Sequence, residues 1–177
     1  MDSIDRMYSI RLATHEDAQF LPEVEASAGQ TFAGHSKFDW IAQGEVQPEE
    51  NHIECIANGL EWLAVDNHDQ PVGFIMAEHL SDSLHIVELS VQQSAQGQGL
   101  GKRLIQQVIE FAQSQQIGQV TLTTFRDIPW NAPYYQRLGF SIMEEAQLTR
   151  ELQDILQHEV NAGFQSIDRC AMQLSVN

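Results

Sequence analysis

The chain has 177 residues, 42% of them apolar, and a formal net charge of −16 at pH 7. That length suits a single domain over residues 1–177, and the apolar share is enough for a sizeable core. The charge argues against a nucleic-acid partner, whose phosphates it would repel, and no apolar run approaches the length of a membrane span.

Met1–Arg6 lacks the basic patch and apolar run of a secretory signal. Cys55 and Cys170 form no CxxC pair, and no His/Cys cluster has zinc spacing. The two thiols read as buried and reduced in a cytoplasmic protein, with no metal site.

In chain order, residues 8–13 alternate as a first strand. Thr14 is placed to cap a helix running to about Ala28, with acidic residues in its first turn and Pro22 as a kink or break. Residues 29–47 are irregular, holding Gly29, Gly34 and Gly44. Pro48 begins a short helix to about Asn58. Residues 60–65 and 71–79 read as a hairpin around residues 66–70. A tight connection, Ser81-Asp82-Ser83, leads to the β-branched run of residues 84–91.

Gln96-Gly97-Gln98-Gly99-Leu100-Gly101-Lys102 follows that strand. Leu100, Leu104, Val108 and Phe111 then recur at helical spacing. Strand, glycine loop and helix in that order suit a phosphate, because the helix N-terminus aims free N–H groups and a positive dipole end at the loop. The dinucleotide fingerprint fails, since the sixth position from Gly97 is Lys102. The Walker A pattern fails at Gln96 and Arg103. A Gln/Arg-x-x-Gly-x-Gly/Ala pattern fits Gln96, Gly99 and Gly101.

Residues 118–125 form the next strand. Residues 131–138 form a short helix, and Gly139-Phe140 enters another strand. Residues 144–161, with Leu148, Leu152, Ile155 and Leu156, read as one more helix ended by Gly163. Residues 169–176 make the last strand. The expected fold is α/β in the mixed, α+β sense. Its sheet of six to seven strands is mostly antiparallel and twisted, with a meander before the glycine loop and helices on its flanks.

The loop pattern, together with Trp130-Asn131-Ala132-Pro133-Tyr134-Tyr135-Gln136-Arg137-Leu138-Gly139-Phe140, resembles the GNAT superfamily of acetyl-CoA-dependent N-acetyltransferases. The resemblance covers roughly residues 8–145 and is extended from there to the end of the chain. It implies that backbone amides of Gln96, Gly97, Gln98, Gly99, Leu100, Gly101 and Lys102 hold the coenzyme A pyrophosphate. It implies a sheet splayed at the cofactor site, where Leu89, Ser90 and Val91 meet the pantetheine arm and acetyl carbonyl. Tyr135, five residues before Phe140, stands where the family's tyrosine serves the leaving thiolate. An asparagine seven residues before that tyrosine is usual, but Ile128 is there, so Asn131 takes the expected pantetheine contact. The acceptor site overlies residues 29–47.

The chemistry adds its own demands. An alkyl ammonium, with a pKa of about 10, must lose a proton before it attacks a thioester. Glu88, alternating with Val87 and Leu89, is the candidate base; a salt-bridged surface acid is the alternative reading. His85, Glu25 and His35 are further candidates, and ordered water can replace any single base. Trp130 reads as packing. The anionic cofactor calls for local positive charge, which Lys102 and Arg103 offer. The overall negative charge reads first as solubility and second as an attraction for cationic amines. The expected reaction is direct transfer from acetyl-CoA to a small primary amine. A protein N-terminus or lysine is an alternative acceptor, and a non-catalytic acyl-CoA-binding module an alternative of another class. The last strand offers an edge for a homodimer.

Overall fold

The computed structural model describes residues 7–177, so the reading made of Met1–Arg6 lies outside them. β1 (Ser9–Leu12) comes first. The single helix expected from Thr14 is two elements. A 3-10 stretch, His15–Phe20, starts at Thr14, whose backbone N–H and hydroxyl both donate to Asp17 Oδ2, at 2.7 and 3.0 Å. α1 then runs Leu21–Gly29 with Pro22 in its first turn. A proline there loses no hydrogen bond, so of the two readings Pro22 marks the break, starting the α-helix, and does not kink one.

Residues 30–32 and 39–43 each form a short 3-10 helix. α2 (Glu49–Ala57) follows Pro48, and β2 (Glu61–Val65) and β3 (Pro71–His79) form the expected hairpin. Asp66 shapes its turn by accepting from the N–H groups of His68 and Gln70. Then come β4 (Leu84–Val91), α3 (Leu100–Ser114), β5 (Gln119–Phe125), α4 (Ala132–Arg137) and β6 (Ser141–Ile142). The helix expected over residues 144–161 is also split. A 3-10 turn, Glu145–Gln147, gives way to an extended Leu148, and α5 (Arg150–Asn161) starts afresh where Thr149 Oγ1 accepts from the Leu152 N–H at 3.3 Å. β7 (Arg169–Ser175) is last.

The strands join in the order β1-β2-β3-β4-β5-β7-β6, a mixed seven-stranded sheet flanked by helices. β1–β2, β2–β3, β5–β7 and β6–β7 are antiparallel, and β4–β5 is parallel. β7 is paired by β5 along its length and by the two-residue β6 at Gln173 and Met172, so β6 and not β7 is the last strand on that side of the sheet. Among the described residues, the β4–β5 ladder covers Leu84↔Val120 to Ile86↔Leu122 and stops there, while β4 runs on to Val91.

The described chain forms two compact units, one of residues 7–78 and 88–107, the other of residues 79–87 and 108–177. In the first, Leu21, Leu63, Phe74, Ile75, Leu104 and Ile105 are buried. All five residues of β2 are buried, Glu61 included. In the second, Met143, Leu152 and Ala171 make a cluster with Leu80, Leu148, Ile155 and Leu156 packed on it. Cys55 and Cys170 are buried free thiols. No helix among the described residues is long and apolar enough to cross a membrane.

Candidate active site

The glycine loop lies in the first unit. Gly97 and Gly99 adopt φ of +75° and +76°. That left-handed backbone costs an L-residue about 1–2 kcal/mol and glycine almost nothing. A Cβ on either glycine would meet nothing within 4 Å. Conformation, not crowding, therefore demands glycine, and the loop's backbone is open to a ligand. The helical ladder of α3 begins with Arg103 N–H donating to Gly99 O at 3.2 Å. The amides of Leu100, Gly101 and Lys102 precede it, with the donors and dipole end that a pyrophosphate needs.

Gln96 has a role that the sequence pattern does not reveal. Its Nε2 donates to Val91 O at 2.9 Å and to Thr31 Oγ1 at 3.2 Å. The side chain thus ties the loop to the end of β4 and to the segment after α1. Lys102 is exposed. Arg103, also expected to add positive charge for the cofactor, sends Nη1 to the Tyr8 carbonyl at 3.4 Å.

α1 runs beside β4 and the loop. Ser27 Oγ accepts from the Gln93 N–H at 3.0 Å, and Thr31 meets Gln96. Earlier on the same helix, the Glu25 carboxyl hydrogen-bonds Glu88. Glu25 Oε2 also accepts from the Gln47 N–H at 2.5 Å. Burial pushes Glu25 above the usual carboxylate range, against the hydrogen bond from Gln47, the pull of His52 and the hydrogen bond with Glu88. On β4, Ser90 Oγ donates to Glu88 Oε1 at 3.2 Å, as same-face neighbours two residues apart can. Glu25, one of the further base candidates, is therefore in direct contact with Glu88.

Behind Glu25, His52 Nδ1 lies 2.7 Å from Glu61 Oε1, with both side chains wholly buried. The His52 ring meets Phe74 edge-on. Burial raises Glu61, and His52 opposes that rise. His52 Nε2 and Glu61 Oε2 are buried without a hydrogen-bond partner. His35, also a base candidate, uses Nδ1 to accept from the N–H groups of Lys37 and Phe38, and stacks on Phe38. It braces a turn in the 29–47 segment.

In the second unit, His85 is 3% exposed. Its Nδ1 lies 2.9 Å from Thr121 Oγ1, which also meets Ser83 Oγ at 3.1 Å. Burial pushes its pKa down to about 4. A histidine so held is neutral near pH 7 and belongs to a structural hydroxyl network.

Tyr135 sits on α4, and the segment after it explains much of its motif. Gly139 takes φ of +101°. Its N–H donates to Gln136 O, and the Phe140 N–H donates to Tyr135 O at 3.1 Å. These are the two bonds of a Schellman helix ending, and the Tyr135 and Phe140 rings supply its apolar contact, 5.8 Å apart. The spacing of tyrosine, glycine and phenylalanine is thus a backbone requirement as well as a chemical one. Asn131 precedes α4, and its Nδ2 donates to Trp130 O at 2.9 Å. Ile128, at the position where the resemblance expects asparagine, is a core residue at 4% exposure. Trp130 is 39% exposed.

A family model described as the acetyltransferase (GNAT) family matches residues 11–140. Solved structures share the fold at low identity. A GNAT-family acetyltransferase from Staphylococcus aureus Mu50 is 17% identical with a TM-score of 0.69, over 96% of this chain and 99% of that one. The PaiA N-acetyltransferase of Thermoplasma acidophilum, solved in complex with coenzyme A, is 17% identical with a TM-score of 0.68, over 95% and 98%. The ribosomal-protein-S18-alanine N-acetyltransferase of Escherichia coli is 18% identical with a TM-score of 0.63, over 97% and 95%. With 130 consecutive residues matched by the family model, the chain belongs to the GNAT family of acetyl-CoA-dependent N-acetyltransferases.

Proposed function

We propose that this acetyltransferase acts on a small primary amine, cationic at neutral pH, by direct transfer in a ternary complex. The observation that carries the reading is the contact of Glu25 with Glu88 on the strand that leads into the glycine loop. A carboxyl pair suits an acceptor that arrives as an ammonium ion, because it offers both a counter-charge and a place for the proton.

The residues divide the work as follows. The backbone of Gln96–Lys102 holds the pyrophosphate, which the open glycines and the α3 N-terminus fit. Leu89, Ser90 and Val91 hold the pantetheine arm. The Val91 carbonyl already accepts from Gln96, so its N–H is the group assigned to the acetyl oxygen. Asn131 adds a contact to the arm. Glu88 takes the amine's proton, and Tyr135 protonates the leaving thiolate. The residues act as one catalytic domain, and two buried free cysteines support a cytoplasmic setting.

Incubation with acetyl-CoA and a panel of acceptors, read as free thiol, tests this. The panel holds polyamines, neutral and acidic amines, and peptides with a free N-terminus or lysine. Thiol release fastest with cationic small amines is the expected result. Preference for the peptides would make the acceptor a protein. Tight acetyl-CoA binding without amine-dependent release would make the chain a binding module.

A further inference from the structure

We propose that Glu25 is a positioning residue for the acetyl transfer, acting by holding one proton jointly with Glu88. The inference rests on the reading of Glu88 as the group that deprotonates the amine.

Three contacts set α1 and the segment after it along β4 and its loop: Glu25 with Glu88, Ser27 with Gln93 and Thr31 with Gln96. The placement of Glu25 is therefore built into the packing of α1. Its carboxyl is held from a second side by the Gln47 N–H at 2.5 Å. Glu88 is held by Ser90 Oγ at 3.2 Å. From α2 and β2, His52 and Glu61 act on Glu25 electrostatically with opposite signs, and Asp17 acts on Glu61 in turn. Asp17 is itself neutralised by Arg11, whose two terminal nitrogens reach its two oxygens at 2.8 and 2.9 Å.

Two carboxyl groups in contact repel when both are ionised, and bind the first proton more tightly than a lone carboxylate does. That proton then sits in an O–H···O⁻ hydrogen bond between them. The doubly ionised pair is the form that works. It takes one proton from the ammonium, and the freed amine attacks the thioester carbon. The C–N bond forms and the C–S bond breaks. Of the three ammonium protons, one passes to the pair and on to solvent, one ends on the thiol, and one stays on the amide nitrogen. Without Glu25, Glu88 loses the carboxyl that shares this proton and is a weaker base.

The test is Glu25→Gln, which keeps size and hydrogen bonding but removes the second carboxylate. Carboxyl 13C NMR follows the titration of Glu88, assigned by its loss in Glu88→Gln. In the wild type, Glu88 is expected to titrate in two coupled steps, the later one above the usual carboxylate range. In Glu25→Gln, a single ordinary step is expected. In parallel, the acid limb of kcat/KM against pH moves down by about one unit, and kcat falls about tenfold. An identical Glu88 titration in both proteins overturns the proposal, as does a uniform loss of activity with the limb unmoved. If the variant fails to fold, the wild-type titration decides alone, and one uncoupled step overturns the idea. A wild type that shows coupling but releases no thiol with any amine removes the proposed function instead, and the positioning role with it.

Discussion

His85 was a base candidate by sequence, and its surroundings make it a stability switch whose size follows from the structure. In the folded chain its pKa is pushed down from 6.5 to about 4, first by burial. A difference of that size is worth about 3 kcal/mol when the group is fully protonated, at ~1.4 kcal/mol per pH unit. The sign follows from the direction of the shift. The unfolded chain takes up the proton first, so this stability is whole above the unfolded value and is lost as pH falls from 6.5 towards 4. Between pH 7 and pH 5 the loss amounts to about 2 kcal/mol. His85→Gln cannot titrate, yet can still hydrogen-bond Thr121 Oγ1. Urea unfolding followed by circular dichroism at both pH values measures the difference. Asp17, Glu25 and Glu61 titrate in both proteins and cancel in the comparison. The variant should lose about 2 kcal/mol less than the wild type on acidification, and should keep its kcat at pH 7. Equal losses would refute the assignment of a neutral buried histidine. A collapse of kcat without loss of fold would return His85 to the list of bases.

Gly99→Ala meets no steric obstacle but places an L-residue at φ +76°. It should cost about 1 kcal/mol of stability and weaken acetyl-CoA binding about tenfold by calorimetry, and an unchanged Kd would remove the loop from the cofactor site. Tyr135→Phe keeps the ring that packs on Phe140 and both backbone bonds of the helix ending. Turnover should fall about a hundredfold with acetyl-CoA affinity nearly intact, and unchanged turnover would sink the acid role. Thr149→Ala removes the cap of α5 and should lower stability by about 1 kcal/mol in thermal melts, without affecting kcat.

Strand positions and the glycine loop were legible because their signals are local. Alternation, β-branched composition and a turn residue such as Asp66 act within a few residues of themselves. The buried face of α3 was legible too, since Leu100, Leu104 and Val108 repeat at helical spacing and are all buried. What the residues alone did not disclose is which polar groups are buried. Glu61 stands in a strand of otherwise apolar residues, and nothing near it in the chain says that His52 will lie 2.7 Å away. The pairing of Glu25 with Glu88, 63 residues apart, is likewise a product of packing. Gln96 fitted its motif as a loop residue, but its tie to Val91 appears only once β4 and the loop are folded together. Ile128 shows the converse: a motif position whose side chain has gone to the core.

The break at Pro22 bears directly on the direction of Glu25. An α-helix turns 100° per residue and a 3-10 helix 120°. Over the six residues His15–Phe20 the difference accumulates to about 120°. A continuous α-helix from Thr14 would therefore present Glu25 about a third of a turn away from where a helix newly started at Leu21 presents it. Pro22 is compatible with that start and lacks the N–H that a continuing helix would use. The bonds of Thr14 to Asp17, and of Asp17 to Arg11, hold the preceding 3-10 stretch in place. The direction of a carboxyl in α1 is thus set upstream, by a proline and an aspartate. Substitution of Pro22 or Asp17 would be felt at Glu88 through the phase of that helix.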